Sequence, residues 1–392
     1  MNLIFVKSIP RAASVFALGL LAATTAFSQN NPTGKVVMVE EVFKNIQVMK
    51  GIPVSEFMDT MGMFSAALGS NCTGCHVAES LDDLSKFAED VPRKRMARYM
   101  VTMVNNFNKS GFGGRKALTC WTCHRGNLAP ESVPSLMAQY TIPPEDPDAI
   151  EIAPDGPTEP TADQILDKYL QAVGGAAKAA TLKSFVAKGT IDGYDTYHVP
   201  VPLEIYSVAP DKRTVIWHTQ NGDSTTVFDG TKGWVANINS PVRLLPTLPG
   251  GETDGAKLDA DLGFPANIKT ALKDWKIGFP VTTIDDKPVV IIQGQGAGNT
   301  RIKLFFDQES GLLVRTLRYN DTVVGRVPTQ VDYSNYKEVA GVKMPHSMVI
   351  TWTDGQSKIE LKDIQVNVPV EAARFAMPAP AVLKPSGAAA RK

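Results

Sequence analysis

The pentapeptide Cys-x-x-Cys-His occurs twice, as Cys72-Thr73-Gly74-Cys75-His76 and as Cys120-Trp121-Thr122-Cys123-His124, and these copies use all 4 cysteines of the 392-residue chain. In c-type haem attachment, the two thiols of this pentapeptide add across the haem vinyl groups. The histidine that follows takes one axial face of the iron. Other uses of a Cys-x-x-Cys pair are a zinc half-site, a redox pair or a disulfide framework. None of these requires a histidine directly after each pair. The 44 residues between Cys75 and Cys120 are also too many for a compact zinc ribbon. The motifs therefore imply two covalently attached c-type haems, held by Cys72, Cys75, Cys120 and Cys123, with His76 and His124 on the irons.

The first residues fit an exported protein. Lys7 and Arg11 lie in Met1 to Arg11 without an acid, and an apolar run from Ala12 to Phe27 follows. Ala26 and Ser28 are small residues three and one before a cut ahead of Gln29. Residues 1–28 thus read as a signal peptide for export to the periplasm, too short for a spanning helix. No cysteine lies near the cut to carry a lipid anchor. An uncleaved segment would instead hold the protein at the membrane surface.

Lysine plus arginine and aspartate plus glutamate number 40 each, so there is no global basic field for nucleic acid. The average conceals one local feature: residues 129–162 contain no Lys or Arg but 7 acids and 8 prolines. Such a stretch cannot bury a core and reads as an extended linker. It divides the mature chain into a mostly α module at 29–128 and an α+β domain at 163–380, followed by a disordered tail at 381–392.

In the first half, Pro53 suits a first helical turn and Gly69 a left-handed helix end. The helix between them carries Met58, Met61 and Met63 ahead of Cys72. A second helix is expected from Pro92 to Gly111, with Met96, Met100 and Met103 on one face at i, i+4 and i+7. Of the 5 histidines, two belong to the motifs, and His198, His218 and His346 lie beyond the linker. A methionine thioether is then the natural sixth ligand, although methionine also serves as flexible core filler. Arg93-Lys94-Arg95 and Arg98 form a basic cluster that reads either as a solvated face or as a docking patch for an acidic redox partner.

The strings Val42-Phe43-Lys44-Asn45-Ile46-Gln47-Val48-Met49-Lys50 and Val54-Ser55-Glu56-Phe57-Met58-Asp59-Thr60-Met61 resemble the cytochrome c subunit of photosynthetic reaction centres. So do Ala97-Arg98-Tyr99-Met100-Val101-Thr102-Met103 and Thr119-Cys120-Trp121-Thr122-Cys123-His124-Arg125-Gly126. The resemblance, over about residues 39–126, implies haem units built from a methionine-bearing helix, a turn and the attachment motif. It places the methionine ligands on Met61 and Met100, with Met58, Met63 and Met103 as rivals because the loops to the motifs look shorter. It also implies electron transfer rather than enzymatic chemistry, between redox proteins that include a membrane-bound complex or reaction centre among the candidates. The family's well-known members hold four haems, whereas this chain has motifs for one pair. Residues Asn108 to Gly114 lack the histidine that ligates a distant haem in that family.

From Gly189 onward the pattern is one of short strands, such as Arg213–Trp217, Val289–Ile292, Arg301–Phe306 and Met348–Trp352. Turn signals such as Asp229-Gly230, Ser310-Gly311 and Asp354-Gly355 punctuate them. Helices are expected at Asp163–Val173 and Asn267–Trp275. The whole suggests an antiparallel curved sheet or half-open β-barrel. Ala172-Val173-Gly174-Gly175, Phe228-Asp229-Gly230-Thr231-Lys232-Gly233-Trp234, Gly311-Leu312-Leu313-Val314-Arg315 and Val366-Asn367-Val368-Pro369 resemble the carrier fold of outer-membrane lipoprotein-sorting proteins. That resemblance implies a cup for a hydrophobic ligand; the other reading is a structural or docking domain, since fold alone does not give function. No catalytic constellation, P-loop or dinucleotide fingerprint is present. Two alternatives to electron transfer remain: a di-haem peroxidase or oxidase with an open iron, and a redox-linked carrier of an apolar molecule.

Overall fold

The computed structural model describes residues 35–81, 83–133, 160–237, 240–247, 251–278, 282–296 and 300–382. The expected signal segment, most of the acidic linker and all but two residues of the expected tail lie outside the described residues. Among the described residues, no helix is long and apolar enough to cross a membrane.

The first half is helical, as expected. α1 (Val39–Val42) is a single turn, and α2 (Val54–Leu68) begins directly after Pro53. α2 ends at Gly69 in the left-handed conformation, φ 58°, which a residue without Cβ adopts at no steric cost. α3 (Pro92–Gly111) has Pro92 in its first turn, where the missing N–H would lack an intrahelical partner anyway. α4 (Cys120–His124) is the second pentapeptide itself, fixed by a reciprocal capping box between Thr119 and Thr122. The first pentapeptide opens instead with a 3-10 turn at Cys72–Gly74.

In the second half, α5 (Ala162–Ala172) starts at a capping box of Thr161 and Gln164 and buries Ile165, Leu166, Tyr169 and Leu170. α6 (Ala176–Ala179) is one turn. The strands that follow are β1 (Ser184–Gly193), β2 (Val201–Val208), β3 (Lys212–His218), β4 (Asp223–Phe228), β5 (Gly233–Asn237) and β6 (Ser240–Leu244). After α7 (Glu252–Leu262) come β7 (Lys273–Ile277), β8 (Thr282–Ile284), β9 (Lys287–Gln295), β10 (Arg301–Asp307) and β11 (Leu313–Thr322). β12 (Gly325–Val339), β13 (Val342–Trp352) and β14 (Gly355–Val366) complete the set. They form one antiparallel 14-stranded sheet in the order β6-β5-β4-β3-β2-β1-β14-β13-β12-β11-β10-β9-β7, with β8 beside β9. This is the open curved sheet that the strand pattern suggested.

The inner face follows the two-residue strand period. In β2, Val201, Leu203 and Ile205 point inward while Pro202, Glu204 and Tyr206 alternate with them. These side chains pack with α5, α7 and Phe264, Leu304 and Phe306 into one core. Tyr169 of α5 meets Phe306 edge-on, ring centroids 5.6 Å apart. The helix expected at Asn267–Trp275 is absent. Pro265–Lys269 is a 3-10 turn, and Trp275 lies in β7, paired with β9. The free N–H groups of β9 draw this segment into the sheet, and tertiary pairing overrides local propensity.

The two halves pack together. Asn320 Nδ2 at the end of β11 donates to Asp59 Oδ2 of α2 at 2.5 Å. A Cβ on Gly62 would stand 2.6 Å from Thr353 Oγ1 in the β13–β14 turn, so α2 rests directly on the sheet's rim. Leu244 N of the edge strand β6 donates to Lys35 O at 3.2 Å. Burial beneath this contact, helped by the Glu252 carboxylate, pushes the Asp59 carboxyl up to about 6, while Arg318, Asn320 and Arg243 oppose the rise. A carboxyl with a raised folded pKa holds its proton in the folded state at pH values where the unfolded chain has lost it. Its protonation therefore favours the folded state below the usual aspartate value, and that contribution is lost as pH rises from about 4 to about 6. Asp59→Asn is expected to stabilise the protein near neutral pH by at most on the order of 2–3 kcal/mol and to flatten that slope. Chemical denaturation across this pH range checks both outcomes.

Candidate functional site

Each pentapeptide stands at the end of a helix–turn segment, and each is braced by the methionine helix of the other segment. In the first, the Gly74 carbonyl accepts from Arg93 Nη1 of α3 at 3.0 Å. The His76 ring meets Phe87 edge-on, centroids 4.8 Å apart. In the second, Gly126 N donates to Ala67 O of α2 at 2.9 Å. Cys120 packs in an apolar cluster with Met63 and Phe64 of α2 and Val101 of α3. A Cβ on Gly69 would collide with the Gly126 carbonyl, so the left-handed helix end and the close approach of the second motif both require glycine there.

The basic cluster at the start of α3, read as a solvated face or a docking patch, is hydrogen-bonded within the module. Lys94 Nζ donates to Phe87 O at 2.5 Å and Glu89 O at 3.1 Å, and Arg95 Nη1 donates to Asp90 O at 3.4 Å. Arg98 pairs with Asp90 Oδ1 at 2.6 Å and donates to Asn45 O at 3.1 Å. With Arg93 on Gly74, these four side chains clamp the loop that follows the first motif. Burial lowers the His76 pKa, and Lys94 and Arg98 lower it further by placing positive charge beside the ring.

The histidines differ in their supports. His124 Nδ1 lies 3.0 Å from the Asn127 carbonyl oxygen. A carbonyl only accepts, so Nδ1 carries the hydrogen and Nε2 keeps its lone pair for a metal. His76 Nδ1 is buried and has no hydrogen-bond partner among the described residues. All four thiols are free, Cys72 and Cys123 exposed. Burial pushes the Cys120 thiol up to about 11 and also raises Cys75. Among the described residues, no three His, Cys, Asp or Glu side chains converge on a metal position.

The methionines divide by helix face. On α2, Met58 and Met61 share a face with Ser65 and Leu68, while Met63 lies on the opposite side. Met63 is buried against Val101, Val324 and Val327. Met61 packs at the border of a cluster formed by Val39, Met49 and Phe57. On α3, Met96, Met100, Met103 and Phe107 form one stripe, and Val101 and Asn108 bury the other side. Met96 is 55%, Tyr99 62% and Phe107 53% exposed, a broad apolar face left open among the described residues. A large planar apolar group anchored at the motifs would cover such a surface. Free thiols, an oriented imidazole and uncovered apolar faces therefore fit haem.

The sequence comparisons agree with this half of the molecule. Residues 20–146 match the family of the photosynthetic reaction centre cytochrome C subunit. The cytochrome c subunit of the Thermochromatium tepidum photosynthetic reaction center is 32% identical over 95 residues, covering 23% of this chain and 22% of that subunit. The Rubrivivax gelatinosus subunit is likewise 32% identical over 95 residues, covering 24% and 25%. The chain thus spans about a quarter of the length of these relatives. Solved structures align with the other half. A LolA superfamily protein from Nitrosomonas europaea covers 55% of this chain at 15% identity and TM-score 0.38. An outer membrane lipoprotein-sorting protein domain from Vibrio parahaemolyticus covers 54% at 12% identity and TM-score 0.38.

A second candidate site lies inside the curved sheet. It is a cavity of about 90 Å³, counted as space open to the centres of water-sized spheres, whose lining includes Ile205, Tyr333, Tyr336, Met348, Arg213 and Asp259. Tyr336 OH is satisfied by Leu313 O at 2.7 Å, leaving a mainly apolar wall. The three non-motif histidines lie elsewhere, His346 buried with Nδ1 3.0 Å from Met344 O and His218 3.1 Å from Asp223. Gly69→Ala is expected to cost on the order of 2 kcal/mol and to loosen the second motif. Denaturant unfolding, with proteolysis around Gly126 as the local readout, checks it.

Proposed function

We propose that the chain carries two covalently attached c-type haems and passes single electrons between redox proteins. Cys72 and Cys75 would hold one haem and Cys120 and Cys123 the other, with His76 and His124 as proximal ligands. The observation that carries the proposal is the pair of complete pentapeptides, with every thiol free and His124 held in the metal-binding tautomer by Asn127. When bound, the haem supplies one-electron ferric/ferrous chemistry. One electron arrives from a reduced donor and one leaves to an oxidised acceptor, with no bond made or broken in either.

The chain's own residues do the rest. Asn127 fixes the His124 ring. Lys94 and Arg98 place positive charge by His76, which favours the reduced, less positive state of a bound metal. Met61 and Met100 would be the sixth ligands, a reading supported by the resemblance and, for Met100, by the apolar stripe of α3 on which it lies. Burial of Met63 against the sheet's rim favours Met61 over it. The reading includes export by the N-terminal segment, a periplasmic location, and a membrane-bound electron-transfer complex such as a reaction centre as partner. Ligation by methionine separates this reading from a peroxidase or oxidase with an open iron.

The purified protein is expected to give two haems per chain in a pyridine haemochrome assay, low-spin when reduced. Met61→Ala and Met100→Ala should each convert one haem toward a high-spin spectrum. One haem per chain, or unchanged spectra in both variants, would contradict the stoichiometry or the ligands respectively. The cavity favours a further reading, in which the sheet domain binds an apolar molecule. Native mass spectrometry should then detect one bound apolar molecule per chain, lost in a cavity-filling Ile205→Trp variant.

A further inference from the structure

Two-residue hairpin turns are normally built from Asn, Asp and Gly, which accept positive φ. The turn joining β11 to β12 is Val323-Val324, flanked by the Thr322–Gly325 pair. Nothing in that dipeptide suits an exposed tip. Thr322 stabilises the turn instead: its Oγ1 donates to Gly325 O at 2.8 Å and accepts from Val324 N at 3.3 Å. The valines are there because the tip is not in water. Val324 is 3% exposed and packs with Met63, Val101 and Val327 in the cluster that Cys120 borders. Val323 borders both this cluster and the one formed by Val39, Met49 and Phe57.

Two hydrogen bonds and one close packing contact fix the tip from three sides. Lys116 Nζ donates to the Thr322 carbonyl. Asn320 donates to Asp59 on α2. Thr119, the cap of α4, lies so close that a Cβ on Gly325 would be 2.6 Å from its Cγ2, and Gly325 also has φ 142°. The tip therefore holds the cap and the first residue of the second motif, Thr119 and Cys120, together with the helix bearing Met61.

We propose that the β11–β12 tip is a positioning wall of the second attachment site, through which the sheet domain sets the reduction potential of the haem on Cys120, Cys123 and His124. The inference rests on the di-haem reading. The oxidised iron carries one more positive charge than the reduced one, so a dry apolar wall disfavours oxidation. The Lys116 ammonium, tied to the Thr322 carbonyl, acts in the same direction. The tip's clusters include Cys120 and no residue of the first motif; the sheet domain approaches that motif elsewhere, at Tyr194 beside Cys72, and the cations near His76 come from α3.

The test is a spectroelectrochemical titration of the full-length haem-loaded protein. The two one-electron waves are assigned with a Cys72→Ala/Cys75→Ala variant, which retains only the second. Val324→Thr, nearly isosteric but polar, is expected to lower the potential of that wave and leave the other in place. Lys116→Met should move the same wave in the same direction. Movement of both waves together, of neither, or of the first alone would overturn the proposal. If Val324→Thr fails to fold, hydrogen exchange decides. Amides of Val323, Val324 and Gly325 should exchange more slowly in the loaded protein than in a Cys120→Ala/Cys123→Ala variant, and equal rates refute the wall. Absence of covalent haem from the second motif in the unmutated protein, read by peptide mass spectrometry, would refute the di-haem reading itself and not this inference alone.

Discussion

The seating of α2 on the rim of the curved sheet supports everything else in the helical half. That half has little core of its own: its two clusters are small, and one is completed by Val324 and Val327 from the sheet. α2 is gripped along its length, by Asn320 at Asp59, by the β13–β14 turn at Gly62 and by the valine tip at Met63. Its C-terminal end then receives the second motif through Gly69 and Gly126. Once α2 is placed, the second motif is placed with it. α3 joins through Val101, and the basic side chains of its first turns position the loop after the first motif.

The two attachment sites are built from nearly the same pentapeptide but are not copies of each other. Cys120–His124 is a capped helical turn with its histidine tethered to the Asn127 carbonyl. Cys72–Gly74 is a 3-10 turn, and the following His76 is held by an aromatic edge contact among cations. The difference arises outside the motifs. Thr119 and Thr122 cap the second reciprocally, whereas Asn71 before the first makes no side-chain cap. Positive charge beside His76 and the carbonyl tether on His124 would act in opposite directions on a metal bound there, since a tethered imidazole is the more basic donor.

Much of this was legible in the sequence where a single residue imposes a backbone state. Pro53 and Gly69 delimit α2, and Pro92 opens α3. The Asp229-Gly230, Ser310-Gly311 and Asp354-Gly355 turns fall between strands as expected. The pentapeptides mark the site without any structure. What was hidden depends on distant partners. The segment Asn267–Trp275 reads as helix until β9 offers its edge. α7, with Gly255 inside it and a weak apolar stripe, gives little periodic signal. The Arg93–Arg98 cluster looks like a free patch because its acceptors are mostly main-chain carbonyls, which the sequence does not display. Val323-Val324 breaks the turn rules, and that violation was the one sign that this tip is covered.

The β11–β12 ribbon also sets a distance. Leu313 and Tyr333 line the cavity toward one end, and the other end abuts Cys120. Val331, which also lines the cavity, pairs with Thr316, and from Thr316 to Thr322 the strand measures about 20 Å at the ordinary rise per residue. The spacing between the cavity and the second motif is therefore a stretch of strand, fixed by backbone hydrogen bonds. One residue inserted into β11 would turn every side chain beyond it to the opposite face.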